Sequence, residues 1–270
     1  MQTIFSMELA QALSRAAVAA GKTVNVHIKI DTGMGRIGIQ PQDAGEFAEA
    51  VAGLPGIQIE GVFSHFSTSD SADKSFTYKQ YYQFMEALQH IEEKGIQIPI
   101  RHIANSAAVL DLPEMHLDMV RPGIILYGLW PSDEVTRSIE LRPAMKFKAQ
   151  VCFAKNLPVE ASISYGRTYF TDKTSRIATL PVGYADGWSR MLGNQAHVVV
   201  RGQRAPLVGR VCMDQCMIDI THIPDVKTGD EVLLFGGADL PVEEVAEYMG
   251  TINYEIVCMV GKRVPRLYVE

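Results

Sequence analysis

Along the first half of the chain, strand-like and helix-like hydrophobic patterns alternate. The strand-like runs are short and rich in β-branched residues, whereas the helix-like stretches repeat apolar residues every three to four positions. The predicted helices lie within residues 1–21 and at Pro41–Ala52 and Phe76–Lys94, and the predicted strands at Val24–Ile30, Ile57–Phe66, Ile100–Ala104 and Ile124–Tyr127. In the helix Phe76–Lys94, one face carries Tyr78, Tyr82, Met85 and Leu88. This alternation predicts parallel strands joined by helical crossovers.

Polar residues follow the ends of these predicted strands. Asp31 and Arg36 come after the first, His65 and Asp70 at or after the end of the second, and Asn105 and Ser106 after the third. In a (β/α)8 barrel this is the rim where catalytic residues collect. We count about four βα units, half the number that closes such a barrel.

The pattern changes near Pro143, where short strand-like runs are separated by Gly, Pro, Asn and Asp. The predicted strands are Phe147–Ala154, Arg176–Pro181, His197–Val200, Pro206–Val211, Met217–Ile220 and Glu231–Phe235, followed by a helix at Val242–Met249. This spacing is typical of a β-rich domain. With Trp130–Ser138 as the junction, we predict domains at 1–138 and 139–270.

Composition narrows the classes of protein. The chain is 47% hydrophobic and 21% charged, which provides for a large core. A net charge of −6 argues against nucleic acid or an anionic membrane as partner. The four cysteines form neither a disulfide framework nor a zinc-ligand set, and no apolar run is long enough to span a bilayer. We therefore expect a soluble, cytoplasmic protein without a metal.

Eight sequence blocks resemble, in the same order, those of bacterial alanine racemases. They are Val26–Gly38, Phe63–Asp70, His102–Ala107, Met119–Gly128, Ser164–Tyr169, Pro181–Gly187, Gly209–Gln215 and Ile252–Glu255. The resemblance implies an isomerase that uses pyridoxal 5'-phosphate to interconvert L- and D-alanine for peptidoglycan synthesis. It also implies a barrel domain that binds the cofactor, followed by a β-rich C-terminal domain.

By resemblance, four residues bind the cofactor phosphate. They are Ser106, the backbone amides of Gly123 and Ile124, and Tyr254. Hydroxyl and amide donors of this kind suit a phosphate group. Arg121 resembles the arginine that hydrogen-bonds the pyridine nitrogen of the cofactor. Since a guanidinium cannot accept a proton, it would keep that nitrogen unprotonated.

Tyr165 resembles the catalytic tyrosine, the base that acts on one face of the substrate α-carbon. An ordinary tyrosine has a pKa near ~10, so its neighbours must favour the phenolate. The resemblance links Tyr165 to His65 and Arg121 by hydrogen bonds. In the family the tyrosine enters the site from the other subunit, which implies a homodimer with a shared active site.

The resemblance assigns the substrate carboxylate to Arg36 and to the backbone amide of Met213. Lys29 matches a lysine that is carbamylated in many family members and that positions this arginine. An uncarbamylated lysine inside the barrel and paired with an acid is almost equally compatible with the pattern.

One block of the family does not occur in the chain. The resemblance implies a K-x-N-A-Y-G-H block whose Schiff-base lysine is the opposite-face base, but none of the eleven lysines has this context. We therefore expect the N-terminal segment with this lysine to be absent, the barrel to be a C-terminal half, and the chain alone to be inactive. Three interpretations stay open: a racemase completed by a separate N-terminal fragment, a non-catalytic module for cofactor binding or dimerisation, and a racemase of another small amino acid such as serine.

Overall fold

The computed structural model describes residues 2–269. The chain forms two compact units, Met1–Arg142 and Pro143–Glu270. The sequence analysis placed the domain boundary after residue 138. Among the described residues, none of the helices combines the length and hydropathy needed to cross a membrane.

The first unit is an α/β structure built on one parallel sheet. Its strands are β1 (Gln2–Ile4), β2 (Val24–Lys29), β3 (Ile57–Phe63) and β4 (Ile100–His102), in the spatial order β1-β2-β3-β4. The helices are α1 (Met7–Ala19), α2 (Ala44–Ala52), α3 (Ser75–Glu93) and α4 (Ser106–Asp111). Each neighbouring strand pair is parallel, as the β/α alternation predicted.

The elements predicted for this unit differ from the structure at two places. The predicted strand Ile124–Tyr127 is a short 3-10 helix that ends at Gly128, whose φ is 75°. Its apolar residues are not all buried, since Leu126 is 71% exposed. A four-residue apolar run does not by itself distinguish a strand from a helical turn. The strand β1, which pairs with β2, is an element that the sequence analysis missed.

The core of the first unit lies between the sheet and its helices. The residues of α3 that are buried are Thr77, Gln80, Phe84, Ala87, Leu88 and Ile91. Of the predicted stripe, Leu88 is buried and Met85 packs partly against the core, whereas Tyr82 is 64% exposed. Large aromatic side chains at helical spacing predicted the wrong face because two polar residues, Thr77 and Gln80, point inward.

The second unit is β-rich, as predicted. Its strands are β5 (Phe147–Gln150), β6 (Phe153–Leu157), β7 (Ser162–Ile163), β8 (Tyr169–Phe170), β9 (Ser175–Leu180), β10 (His197–Val200), β11 (Gln203–Pro206), β12 (Cys216–Asp219) and β13 (Glu231–Phe235). They form sheets ordered β11-β10-β13-β5 and β12-β9-β6 and the hairpin β7-β8. Helices α5 (Val242–Met249) and α6 (Asn253–Met259) follow.

Two predicted strands of this unit differ in the structure. The run Phe147–Ala154 is divided between β5 and β6, which belong to different sheets. The run Pro206–Val211 contributes only Pro206 to a strand, because β11 ends there. Neither the division of the first run nor the early end of the second changes the alternation of apolar residues, so the hydrophobic pattern did not indicate either of them.

Helices α2 and α3 pack closely at a glycine. A Cβ on the buried Gly45 would lie 2.6 Å from the His90 carbonyl oxygen of α3. We expect Gly45→Ala to lower the free energy of unfolding by about 1–3 kcal/mol, because the helices must move apart. Gly53, at the end of α2 with φ −73°, would bring its Cβ no closer than 3.6 Å to any atom.

Gly53→Ala is therefore the matched control and should raise the free energy of unfolding by about 0.4–1 kcal/mol. Urea denaturation of the two variants measures both values. Equal effects of the two substitutions would contradict the close helix contact at Gly45.

Candidate active site

In the first unit, the polar side chains gather at the carboxyl ends of β2, β3 and β4. Lys29 ends β2, Ser64 and His65 follow β3, and His102 ends β4. Since the strands are parallel, these ends lie at one edge of the sheet. The structure thus brings together residues that the sequence placed after separate strands.

Arg121 is held over these strand ends by hydrogen bonds. Its Nη2 donates to the carbonyls of Ser64 at 2.7 Å and Ile103 at 3.3 Å, and its Nη1 lies 2.5 Å from His102 Nδ1. Nη2 also lies 3.4 Å from His65 Nδ1. Burial lowers the pKa of Arg121 to about 10, so the guanidinium stays charged at neutral pH.

The arginine begins a chain of buried hydrogen bonds. Because a guanidinium only donates, His102 Nδ1 must accept, and the proton of that neutral ring lies on Nε2. His102 Nε2 then donates to His27 Nδ1 at 2.7 Å. His27 Nε2 in turn donates to Glu60 Oε2 at 3.2 Å. The chain therefore orients both imidazoles and connects Arg121 to a carboxylate.

The ring of Phe63, the last residue of β3, contacts His102 and the cationic side chains of Arg121 and Lys29. Its ring stacks on the His102 ring with centroids 4.9 Å apart and planes 2° from parallel. Arg121 Cζ and Lys29 Nζ lie 5.3 Å and 5.5 Å from the Phe63 ring centroid. The negative face of an aromatic ring attracts such cations.

Two histidines of the site have lowered pKa values. The pKa of His65 is lowered to about 4, first by burial and then by the charges of Arg121, Arg36 and Lys29. The pKa of His102 is lowered to about 3 by burial and by the charges of Arg121, His27 and Lys29. Both rings are therefore neutral at physiological pH.

Gln80 of α3 joins the loops that follow β2 and β3. The side chain is fully buried, and its amide nitrogen donates to Thr32 Oγ1 at 3.3 Å and to the His65 carbonyl at 3.1 Å. Its amide oxygen accepts from the Ser67 N–H at 2.9 Å. Thr32 continues the network to Ser64 Oγ at 2.8 Å. These bonds fix the loop backbone that carries His65.

Lys29 and the loop after β2 lie beside this network. Lys29 Nζ donates to the Ile30 carbonyl at 2.7 Å. Asp31 Oδ1 accepts from the amides of Gly33 and Gly35, at 3.1 and 3.0 Å, which orders the loop. Arg36 is exposed on the same loop, and its charge contributes to lowering the pKa of Lys29.

Three of the four predicted phosphate-binding residues also lie in the first unit. Ser106 is the first residue of α4, and its hydroxyl accepts from the Gly123 amide at 2.7 Å. Asn105 caps α4 by accepting from the Ala108 amide at 3.2 Å. Ile124 follows directly as the first residue of the 3-10 turn. A hydroxyl and two consecutive backbone amides are donors suited to a phosphate.

The remaining predicted site residues lie in the second unit. Tyr165 follows β7 and is 71% exposed, and Tyr254 is the second residue of α6. Met213 is 58% exposed in a turn closed by the Cys212 amide, which donates to the Gln215 carbonyl at 2.8 Å. The Met213 carbonyl accepts from the Ala185 amide at 2.9 Å, and this bond joins the Met213 turn to the loop of Tyr184.

Sequence reasoning missed His27, Glu60, Phe63, Gln80 and His102 as members of the site. The two histidines carried a usable signal, since each is a polar residue within or at the end of an apolar strand run. Gln80 and Glu60 carried none, because a glutamine on a helix or a glutamate on a strand is ordinarily solvated. Residues 2–269 contain no group of three or more His, Cys, Asp or Glu side chains arranged to hold a metal ion.

Comparison with protein families covers nearly the whole chain. The model "Alanine racemase, N-terminal domain" matches residues 1–131, and the model "Alanine racemase, C-terminal domain" matches residues 144–268. The chain belongs to the alanine racemase family. Because the N-terminal model matches residues 1–131, these matches give no support to the prediction that an N-terminal segment is absent.

Individual members of the alanine racemase family are similar over the full chain. The alanine racemase of Desulfovibrio desulfuricans is 58% identical over 269 residues, which are 100% of this chain and 72% of the relative. That of Desulforamulus reducens is 52% identical, covering 99% of this chain and 73% of the relative.

Solved alanine racemase structures share the fold. That of Clostridium difficile 630 has a TM-score of 0.92 at 44% identity, covering 97% of this chain and 69% of the other. The enzyme from D-cycloserine-producing Streptomyces lavendulae has a TM-score of 0.94 at 36% identity, covering 99% of this chain and 72% of the other. The predicted architecture of barrel strands followed by a β-rich domain is thereby confirmed.

The lowered pKa values of His65 and His102 predict a pH-dependent stability. Both rings stay neutral in the folded chain, whereas in the unfolded chain they bind protons below about pH 6.5. The free energy of unfolding should therefore fall as the pH is lowered from 6.5 to 5, by up to about 1.4 kcal/mol per pH unit for each ring.

Urea denaturation at several pH values in this window measures the slope. Replacement of His102 by Asn should make the slope shallower, because the unfolded chain then takes up one proton fewer in this pH range. A free energy of unfolding that is constant between pH 6.5 and 5 would contradict the buried neutral histidines.

Proposed function

We propose that this chain acts as an alanine racemase that uses pyridoxal 5'-phosphate. The observation that carries the proposal is Arg121, a partly buried guanidinium held at the strand ends two residues before the Gly123 amide. A cation that cannot accept a proton, placed beside phosphate donors, matches a cofactor with a phosphate and a ring nitrogen. Family membership supports the same activity.

The residues present are compatible with this cofactor. Ser106 and the Ile124 amide would hold the phosphate in the first unit together with the Gly123 amide, which would exchange its bond to Ser106 Oγ for one to the phosphate, with Tyr254 of the second unit as a further donor. Arg121 would donate an N–H to the ring nitrogen and keep it unprotonated. When bound, pyridoxal phosphate supplies the electron-withdrawing ring that acidifies the α-hydrogen of the amino acid.

The substrate would be oriented by Arg36 and by the Met213 amide, which both bind its carboxylate. Tyr165 would then take the proton from one face of the α-carbon, or return it, through its phenolic oxygen. His65 and Arg121 would favour the phenolate. Racemisation also needs a base on the opposite face, and none of the eleven lysines lies in the K-x-N-A-Y-G-H context.

The same proposal has consequences for the oligomeric state, the use of the product and the roles of the two domains. A tyrosine supplied by a second copy of the chain would make the working form a homodimer. D-alanine as product points to peptidoglycan synthesis, and hence to the bacterial cytoplasm. We also propose that residues 1–138 form the cofactor-binding domain and residues 139–270 the domain that contributes Tyr165.

Exchange of the α-hydrogen in deuterium oxide tests the proposal. With added pyridoxal phosphate, we expect the chain to exchange the α-hydrogen of the alanine enantiomer that presents this hydrogen to Tyr165. Tyr165→Phe should lower that exchange by about 10²–10⁴-fold, because the tyrosine is the base on that face. Tyr82→Phe, at a tyrosine 64% exposed on α3, is the control.

Absence of this exchange in the unaltered chain would overturn the proposed activity. Undiminished exchange in the Tyr165 variant would refute its role as the base. Serine in place of alanine, under the same conditions, measures the preference between these substrates.

We further propose that Lys29 reacts with carbon dioxide. Burial lowers the pKa of Lys29 to about 8, against the opposing charge of Asp31. The neutral amine fraction is therefore large at pH 8. Its lone pair would form an N–C bond to carbon dioxide, releasing one proton to solvent, and the resulting carbamate would pair with Arg36.

Carbon-13 NMR in labelled bicarbonate should show a carbamate resonance whose intensity rises between pH 7 and 9. The resonance should be lost in Lys29→Met and retained in Lys22→Met, which alters an exposed lysine. A resonance that survives in Lys29→Met would refute the assignment to this residue.

A further inference from the structure

We infer that Ser164 is a positioning residue that holds Tyr165 in place through a strained backbone. This inference rests on the proposed role of Tyr165 as a base. Ser164 has φ 65° and ψ −176°, a combination that is populated almost only by glycine. The residue that precedes the proposed base therefore has backbone angles that are unfavourable for an L-amino acid.

The local connection explains why this conformation matters. Strands β7 and β8 form a two-stranded antiparallel hairpin, and residues 164–168 connect them. Ser164 is the first residue of that connection, so its φ sets the direction in which the chain leaves β7. At a negative φ the following peptide would be rotated, and the Tyr165 side chain would project in another direction.

The surroundings of Ser164 supply the bonds that maintain the strain. Its hydroxyl donates to the Arg210 carbonyl at 2.6 Å, and its own carbonyl accepts from the Arg167 amide at 3.3 Å. The backbone of Gly209 approaches so closely that a Cβ there would lie 2.7 Å from Ser164 Cβ. The Ser164 side chain is thus held between a hydrogen bond and a close glycine contact.

The rest of the turn leaves Tyr165 without comparable support. Tyr165 is 71% exposed, and Gly166 and Arg167 after it also have positive φ values, 72° and 49°. Within its own chain the Tyr165 ring has little packing around it, so its orientation there depends on the backbone. Strain held by neighbouring contacts is one way in which proteins preorganise a reactive group.

A pair of substitutions separates strain from ordinary packing. Ser164→Ala and Ser164→Gly both remove the hydroxyl, but only alanine keeps the Cβ that makes the conformation unfavourable. We expect the glycine variant to have the higher free energy of unfolding. At Thr168 of the same connection, where φ is −86°, alanine should be the more stable replacement, as is usual.

Two further measurements test the positioning itself. Backbone amide relaxation should give Tyr165 an order parameter of about 0.85 in the unaltered chain and below about 0.6 in Ser164→Gly. The kcat for exchange of the alanine α-hydrogen should fall on the order of 10²-fold in that variant, with little change in KM, because a base is misplaced while substrate binding is retained.

Clear outcomes would overturn the inference. A Ser164→Gly variant less stable than Ser164→Ala would show that residue 164 is not strained. An unchanged Tyr165 order parameter in Ser164→Gly would show that residue 164 does not position the tyrosine. Because stability and relaxation are measured without catalysis, they decide the inference even if the unaltered chain proves inactive, which would refute only the proposed function.

Discussion

The first unit depends on the placement of one partly buried positive charge. The Arg121 guanidinium has lost part of its contact with bulk water, and a desolvated cation is costly unless its donors are satisfied. Carbonyl groups of Ser64 and Ile103, directly after β3 and β4, and the His102 ring at the end of β4 provide the acceptors. The parallel register of these strands brings the acceptors within reach of one side chain.

The electrostatics of the site follow from that charge. Burial, and after it the charge of Arg121, lowers the pKa of His65 and His102, and Lys29 and Arg36 join Arg121 at the same strand ends. Three cations there favour anionic groups, such as a phosphate or a substrate carboxylate. The chain from His102 through His27 to Glu60 offsets part of the positive charge and holds each ring in one tautomer.

Much of the candidate site was accessible from sequence because its residues occur at element ends. Lys29 ends a strand, Ser106 begins a helix, and Gly123 precedes a turn, so local patterns indicated their places. Gln80 and Glu60 were not accessible in this way. Their roles arise from contacts with residues 48 and 33 positions away, and no local pattern encodes such partners.

Sequence alone determined the succession of strands and helices in the first unit, the change to a β-rich second unit, and the family. These depend on hydrophobic periodicity and on short motifs, which are local properties of a chain. Tertiary structure alone decided the buried face of α3, the turn at Ile124–Tyr127, the tautomers of His27 and His102, and the strained backbone of Ser164. Each of these is settled by a competition for burial or for hydrogen-bond partners between residues distant along the chain, and only the folded molecule resolves that competition.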